Sequence, residues 1–279
     1  MSILAGHPQT AMFVLYMVIA YALWRKPHWR SAVTLAVALA LAMGLAAAQL
    51  LPATEYMRLS VRAHSHYDAV ANGLPVQDVV QMLLPGSVSG YSPLYVGILP
   101  LLLVGAALVL KPERPVRFWF VVATVTLLVS FGGQTFLHSL FYLFVPGWRL
   151  FRGQERLAFI VAFSLSLLAG YGAKAFLSED KRLQAERIRF VSVCSRLLWV
   201  LLSAVAIFFL GLLKDGWRSS SPFYWLLGSA VFVTLVAFLA WCLLRWWVWR
   251  GRNESLFVGL GAALILFDLF TVGWRDNFS

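Results

Sequence analysis

Residues 146–156 read PGWRLFRGQER and lie between two long apolar runs. The stretch contains three arginines, one glutamate and two glycines. A segment this basic is typical of a bilayer surface, where guanidinium groups bind lipid phosphates while Trp148, Leu150 and Phe151 stay in the interface. It predicts a chain folded around a membrane and is the first candidate for a binding site. The alternative is an interfacial helix whose arginines only anchor the protein to anionic headgroups.

The composition predicts an integral membrane protein. Hydrophobic residues make up 61% and charged residues 13% of the 279 residues, too little polar surface for a soluble globule of this length. The net charge is +11. The lysines and arginines cluster between the apolar runs and form no nucleic-acid motif, so we predict no nucleic-acid partner. The two cysteines, Cys194 and Cys242, lie in or near apolar runs and predict packing residues, with no disulfide framework.

Eight apolar runs are long enough, or nearly so, to cross a hydrocarbon core that needs roughly 20 residues. The sequence therefore predicts an all-α polytopic bundle of about eight spans in a single transmembrane domain, residues 1–279, with interfacial helices on the outer face. Gly132 and Gly133 predict a break near the outer end of the fourth run. The runs are residues 8–24, 31–51, 93–110, 118–137, 157–177, 192–213, 222–244 and 255–274.

The distribution of basic residues predicts the orientation. Loops 25–30, 111–117, 178–196 and 245–252 hold three, three, five and three Lys and Arg, 14 of the 23 in the chain, and are predicted to be cytoplasmic. Both termini and the long loops 52–92 and 138–156 then face outward. Within the first of these loops, residues 76–84 predict a short amphipathic helix between Pro75 and Pro85.

A second polar cluster follows the second run. Glu55, Arg58 and Arg62 are spaced i, i+3, i+7, so they share one face of a helix. A carboxylate beside arginines at the membrane surface is a plausible anchor for a polar substrate next to a lipid phosphate, and Glu55 is a weak candidate for a catalytic base. An internal salt bridge that fixes the loop is the alternative.

Histidines give weaker signals. His7 precedes Pro8 at the outer mouth of the first run, beside Gln9 and Thr10, and is a candidate for substrate or lipid-phosphate binding; a solvated or lipid-facing histidine fits equally. His64, His66 and Asp68 lie close together but lack a fourth ligand, so no metal site is predicted. No cofactor is predicted either, since a divalent cation has no ligand motif here.

Asp268 lies deep inside the last run, where an ionisable side chain is costly and suggests a function. The alternatives are a neutral side chain or a hydrogen bond to another helix. Lys174, Thr124 and Thr126 are the partners that the sequence offers by residue type. In the fifth run, Ala169, Gly170, Gly172 and Ala173 predict tight helix packing.

Four pieces together resemble a known family: AGHPQT at 5–10, QLLPATEYMRLSVR at 49–62, SPLYVGILPLLL at 92–103, and PGWRLFRGQER at 146–156. They resemble the YfhO-like family of bacterial multispanning membrane proteins, which is similar to the GT-C type glycosyltransferases that use polyprenyl-phosphate sugars. The resemblance extends over nearly the whole chain.

The resemblance implies a protein of the bacterial inner membrane that transfers a sugar on the outer face from a lipid-linked donor to a cell-envelope acceptor. Its partners would be membrane lipid and the lipid-linked sugar. The positions that would line the site by motif match are Glu55, Arg58, Arg62, Arg149, Arg152, Glu155 and Arg156.

GT-C type enzymes keep their catalytic acidic residue in the first outer loop, whereas only six residues precede His7 and none is acidic. We therefore expect the chain to be the C-terminal portion of a longer membrane domain, a truncated or inactive fragment or one completed by an upstream membrane segment encoded separately. Two other functions fit the sequence: a transporter or flippase for a lipid-linked or polar solute, and a non-catalytic membrane scaffold.

Overall fold

The computed structural model describes residues 7–26, 28–59, 67–88, 93–214, 223–250 and 253–278. Every regular element in these ranges is a helix, which confirms the all-α prediction. The α-helices are α1 (Pro8–Arg25), α2 (Trp29–Leu59), α3 (Tyr67–Val70), α4 (Ile98–Leu110), α5 (Arg114–Ser130), α6 (Phe136–Phe144), α7 (Ala158–Leu177), α8 (Gln184–Lys214), α9 (Phe223–Arg250) and α10 (Glu254–Phe278). Short 3-10 helices lie at Val76–Met82, Gly132–Gln134, Trp148–Leu150, Gln154–Leu157 and Lys181–Leu183.

Helix length and composition are consistent with a multi-pass membrane protein. Each helix that is long and apolar enough to cross a bilayer overlaps a predicted run. The remaining runs fall on α1, α4 and α5, which are 18, 13 and 17 residues long. The five candidate spans among the described residues are Trp29–Tyr56, Gln154–Leu177, Lys181–Gly211, Leu226–Arg250 and Glu254–Trp274.

α2 extends beyond the second predicted run. It continues through Pro52 to Leu59, so the predicted outer loop that begins at residue 52 opens with helix. Proline fixes a φ that a helix accepts and removes one backbone donor, which a long helix tolerates. The hydroxyl of Thr54 donates to the Leu51 carbonyl oxygen at 2.8 Å, one turn back.

The predicted break in the fourth run is confirmed. α5 ends at Ser130, Gly132 has a φ of +58°, and α6 begins at Phe136. The Thr135 hydroxyl donates to the carbonyl oxygen of Leu128 at 2.7 Å, in the last turn of α5. The break therefore separates two helices within one apolar stretch.

The chain forms two compact units, each described by itself. Unit 1 comprises Met1–Pro75 and Val125–Ile160, and unit 2 comprises Val76–Thr124 and Val161–Ser279. In unit 2, α4 packs with α8, α9 and α10. Buried side chains of the segment before α4, of α4 itself, of α9 and of α10 form one cluster there: Tyr95, Ile98, Val233, Val236 and Val272.

Small residues allow α7 to approach α4 closely. A Cβ on Gly172 would lie 1.9 Å from the carbonyl oxygen of Leu103, so only glycine fits at this position. A Cβ on Gly170 would meet nothing within 4 Å. The predicted tight packing of this stretch is therefore confirmed at Gly172, whereas Gly170 takes no part in it.

Hydrogen bonds from three side chains link the end of α7 to α8 and α9, and the start of α8 to the end of α9, in unit 2. Arg187 is buried, and its guanidinium donates to the carbonyl oxygens of Ala175 and Ser178 at the end of α7, at 2.7 and 2.5 Å. Trp247 Nε1 donates to Phe176 O at 2.8 Å, and Gln184 Nε2 donates to Val248 O at 3.0 Å. Carbonyl groups at these helix C-termini thus obtain donors that the helices themselves cannot supply.

Candidate functional site

The site in unit 1 is built on a segment, residues 71–74, that hydrogen-bonds through its backbone to two other stretches. One stretch follows α5, and the other is the second half of the arginine-rich segment, which we define as residues 147–156. These bonds bring two of the predicted outer loops together within unit 1. The bonds run from Leu74 N to Ser130 O (2.8 Å), from Gly133 N to Ala71 O (2.8 Å) and from Gln154 N to Asn72 O (2.9 Å).

Two glycines make this contact possible. A Cβ on Gly73 would lie 2.4 Å from Ser130 O, and one on Gly132 would lie 2.1 Å from Ala71 O. Gly132 also has a positive φ, which side-chain-bearing residues rarely adopt. The glycine pair at the helix break therefore contacts the 71–74 segment.

Gln9 joins the first and last of the four family-like pieces. Its side chain is buried at the start of α1, and its Nε2 donates to the carbonyl oxygen of Gly153 at 3.1 Å. Its Oε1 accepts a hydrogen bond from Arg156 Nη1, also at 3.1 Å. Gly153 has a φ of +85°, which turns the chain sharply at this point. One glutamine thus holds both the backbone and a guanidinium of the arginine-rich segment.

Trp148 is buried inside unit 1, so its predicted position in the membrane interface is wrong. Its side chain is 1% exposed and its ring centroid lies 5.5 Å from that of Phe13 and 4.9 Å from that of Phe141. The indole Nε1 donates to His138 Nδ1 at 3.4 Å. Burial of a large aromatic ring holds the start of the arginine-rich segment against α1 and α6.

Arg149 lies at the edge of an open, largely apolar depression. Its Nε donates to the carbonyl oxygen of Tyr142 at 2.9 Å, and its Cζ lies 4.8 Å from the centroid of the Tyr142 ring. The depression has a volume of about 460 Å³, and its lining includes Leu143, Phe144 and Leu150. A guanidinium fixed beside an apolar surface suits a ligand that has both a phosphate and a hydrocarbon part.

Arg152 and Glu155 are exposed on the same segment. Within the described ranges, neither side chain forms an ion pair; the ion pair found there joins Lys111 and Glu113 at 3.1 Å. Since Arg156 is held by Gln9 and Arg149 by Tyr142, Arg152 is the guanidinium of this segment whose donors are unused by described residues. It is therefore the arginine best able to bind an external anion.

The remaining predicted site residues are placed as follows. Glu55 is exposed on the last turns of α2, and Arg58 lies on the same helix. Arg62, His64 and His66 lie outside the described residues, so the predicted Glu55, Arg58 and Arg62 face stays a prediction. His7 is exposed and precedes α1, where Pro8 occupies the first helical turn as predicted. In the part of the chain that the structure describes, no three His, Cys, Asp or Glu side chains are grouped to hold a metal ion.

His138 and Asp78 are buried polar residues that the sequence did not single out. His138 is fully buried, and its Nε2 has no hydrogen-bond partner among the described residues; in unit 2, the same holds for Oδ1 of the buried Asp78. A buried polar atom without a protein partner is a position for a water molecule or a polar ligand group. A lone histidine or aspartate in an apolar or loop segment gives no spacing signal, so pattern analysis passes over it.

Burial lowers the pKa of His138 below its ordinary value of 6.5. The unfolded segment therefore binds a proton at pH values where the folded segment does not, and stability falls as the pH drops below about 6.5. We expect the protection factors of the amides in residues 136–150, which correct exchange rates for their intrinsic pH dependence, to fall over this range in the wild type. His138→Gln should flatten the dependence, whereas His7→Gln, which changes an exposed histidine of the same unit, should retain it. An identical pH profile in wild type and His138→Gln would contradict this assignment.

Asp268 has two partners in unit 2 that the sequence did not predict. Its Oδ1 accepts from the Tyr95 hydroxyl at 2.5 Å, and its Oδ2 accepts from Ile98 N, the first amide of α4, at 2.9 Å. Lys174, Thr124 and Thr126 supply neither bond. The side chain is 1% exposed and caps a helix N-terminus that has no side-chain cap of its own. Asp268 thus joins α10 to the start of α4 through two hydrogen bonds, and we call this contact a structural pin.

No protein-family model, no curated protein and no solved structure matches this chain. The resemblance to the YfhO-like family therefore stays a prediction.

Proposed function

We propose that the chain is a membrane glycosyltransferase-like protein of the GT-C type, in which the arginine-rich segment binds the phosphate of a polyprenyl-phosphate sugar on the outer face. The observation that carries the proposal is the pair of hydrogen bonds that Gln9 forms with Gly153 and Arg156. It fixes the segment through Gly153 and Arg156 while leaving Arg152 exposed and without a described partner.

The chemistry of the segment suits a lipid-linked phosphate. A phosphate diester is bound best by guanidinium groups whose orientation is fixed before binding, since less side-chain entropy is then lost. Arg149 is fixed by Tyr142 and borders the apolar depression, which would accept the first part of a polyprenyl chain. Exposed Arg152 would complete the phosphate contacts.

The proposed reaction is a direct displacement. The acceptor hydroxyl oxygen bonds to the anomeric carbon, and the bond between that carbon and the phosphate oxygen breaks, leaving its electron pair on the phosphate. Arginines neutralise the charge that develops on this leaving group. The hydroxyl proton passes to a carboxylate, and Glu55 is the candidate for this base.

The proposed topology has about eight spans, with both termini outside in the bacterial inner membrane. The five long apolar helices are supplemented by α1, α4 and α5, which coincide with the other predicted runs. α4 is short, but its buried N-terminal amide bonds to Asp268, so its backbone avoids an unsatisfied group at membrane depth.

The test is binding and transfer of a radiolabelled polyprenyl-phosphate sugar by the full chain in membranes, alone and co-expressed with the product of the upstream reading frame. We expect Arg152→Ala to weaken donor binding about tenfold, because a hydrogen-bonded charge contact is lost. Arg117→Ala is the matched control, since Arg117 is also exposed and lies in the first turn of α5, in a stretch predicted to be cytoplasmic. Equal donor binding by the two variants would contradict the proposal.

A membrane scaffold is the second candidate, favoured by the exposure of α2. Almost none of its apolar window is buried, and small residues recur every fourth position along it at Ala32, Ala36, Ala40, Gly44 and Ala48. Such a stripe permits close helix association in a bilayer. Absence of donor binding by the wild-type chain would favour this candidate over the glycosyltransferase.

A further inference from the structure

The last turns of α9 carry an arginine between two tryptophans. Arg245 Cζ lies 5.4 Å from the ring centroid of Trp241 and 5.4 Å from that of Trp249. Because the three residues are four positions apart, they share one face of the helix. We call Trp241, Arg245 and Trp249 the tryptophan–arginine ladder.

The ladder orients a cation whose donors are free. Contact with the indole rings restrains the planar guanidinium but uses none of its N–H groups. No residue in the described ranges accepts a hydrogen bond from Arg245, which is exposed. The ladder therefore presents unsatisfied donors on a pre-oriented cation.

The surroundings of the ladder are basic and lie at one end of the unit 2 helices. Trp247 bonds to the end of α7, and Gln184 at the start of α8 bonds to Val248 in α9. Residues 178–196 and 245–254, which follow α7 and include the start of α8 and the end of α9, contain eight Lys and Arg against four Asp and Glu. Trp249 is 64% exposed, and exposed tryptophans at a helix end mark the level of lipid headgroups. The sequence predicts this end to be cytoplasmic.

We infer that the tryptophan–arginine ladder binds the phosphate of an anionic phospholipid in the cytoplasmic leaflet. The guanidinium edge offers paired donors to phosphate oxygens, the indoles lie at headgroup level, and the basic surroundings favour a lipid with net negative charge. This site is independent of the proposed sugar-donor site, because it uses other residues and a different unit.

The test measures lipid retention by the full chain in nanodiscs that contain phosphatidylcholine alone or mixed with phosphatidylglycerol, with native mass spectrometry as the readout. We expect wild type to retain phosphatidylglycerol selectively and Arg245→Gln to reduce its affinity about tenfold. Arg245→Lys should lose most of the affinity too, because an ammonium lacks the planar paired donors. Arg250→Gln is the control, since it removes the same charge from an exposed arginine of α9.

Three outcomes would overturn the inference. One is equal loss of phosphatidylglycerol in Arg245→Gln and Arg250→Gln, which would indicate general charge attraction. Another is full retention in Arg245→Lys, which would remove the role of guanidinium geometry. The third is displacement of the lipid by millimolar inorganic phosphate, which would indicate a site for the free anion. Thermal unfolding of each variant identifies any loss that comes from misfolding.

Discussion

Gly172→Ala is expected to lower the free energy of unfolding of unit 2 by about 3 kcal/mol, because the added methyl group overpacks a closely packed contact. The new Cβ would lie 1.9 Å from the Leu103 carbonyl oxygen, and this oxygen belongs to the backbone of α4 and cannot rotate away. α7 and α4 would have to separate, and α4 also packs with α9 and α10, so the shift would extend through the unit 2 core.

Gly170→Ala is the matched control on the same helix. Its Cβ would meet nothing within 4 Å, so the substitution should leave stability unchanged or raise it by up to about 1 kcal/mol through helix propensity. Thermal unfolding can be followed with a thiol-reactive fluorophore in a Cys242→Ser background, since Cys242 is half-buried whereas Cys194 is buried in α8 and becomes reactive when unit 2 opens. We expect a midpoint lower by about 6–12 °C for Gly172→Ala. Equal midpoints for the two variants would show that the α7 and α4 contact is looser than described.

The helical class and the five long apolar helices were predictable because they depend on local composition. A run of apolar residues long enough to cross a bilayer must form its backbone hydrogen bonds internally, and a helix does so within a single segment. The break at Gly132 was predictable for the same reason, since two adjacent glycines weaken a helix wherever they occur. Boundaries were less predictable: the second apolar run ends at residue 51, whereas α2 continues to Leu59.

The contacts of the candidate site were not predictable, because they depend on which loops meet. The spacing within PGWRLFRGQER indicated a basic surface, but it did not indicate that Trp148 is buried or that Gln9 bonds to Arg156 across 147 positions of sequence. The prediction treated the three arginines alike. The structure separates them by their partners, with Tyr142 for Arg149, Gln9 for Arg156 and no described partner for Arg152.

The hydrogen-bond partners of Asp268 were also not predictable from residue type. A carboxylate deep in an apolar run indicates a partner, but residue type alone suggested Lys174 and two threonines. The donors are a tyrosine hydroxyl and a backbone amide that precede or begin α4. A backbone donor is invisible to any search by residue type, since every residue except proline carries one.

Asp268→Leu is expected to lower the free energy of unfolding of unit 2 by about 3–5 kcal/mol, because two buried donors lose their acceptor and each unsatisfied donor costs about 1–3 kcal/mol. One is the Tyr95 hydroxyl and the other is Ile98 N–H at the start of α4. Tyr95→Phe removes only one bond and leaves the amide capped, so its effect should be about 1–2 kcal/mol. The double variant should be less destabilised than the sum of the two single variants, since Tyr95→Phe removes the hydroxyl that Asp268→Leu leaves unsatisfied.

Asp268→Asn distinguishes a structural pin from an ion-carrying or proton-carrying group. Asparagine Oδ1 can accept from Ile98 N while Nδ2 donates to the Tyr95 oxygen, so the cap of α4 survives and only the Tyr95 O–H is left without an acceptor, at a cost of about 1–3 kcal/mol. A structural pin therefore predicts that the midpoint of Asp268→Asn lies between those of the wild type and Asp268→Leu, in the same thiol-reactivity measurement. A carrier needs the ionisable group itself, and proton-coupled or cation-coupled uptake into vesicles would then fail in a well-folded Asp268→Asn protein. Uptake that is present in the wild type and absent from this folded variant would replace the pin with a transport role, whereas a midpoint above that of Asp268→Leu without any wild-type uptake would leave Asp268 as the cap of α4.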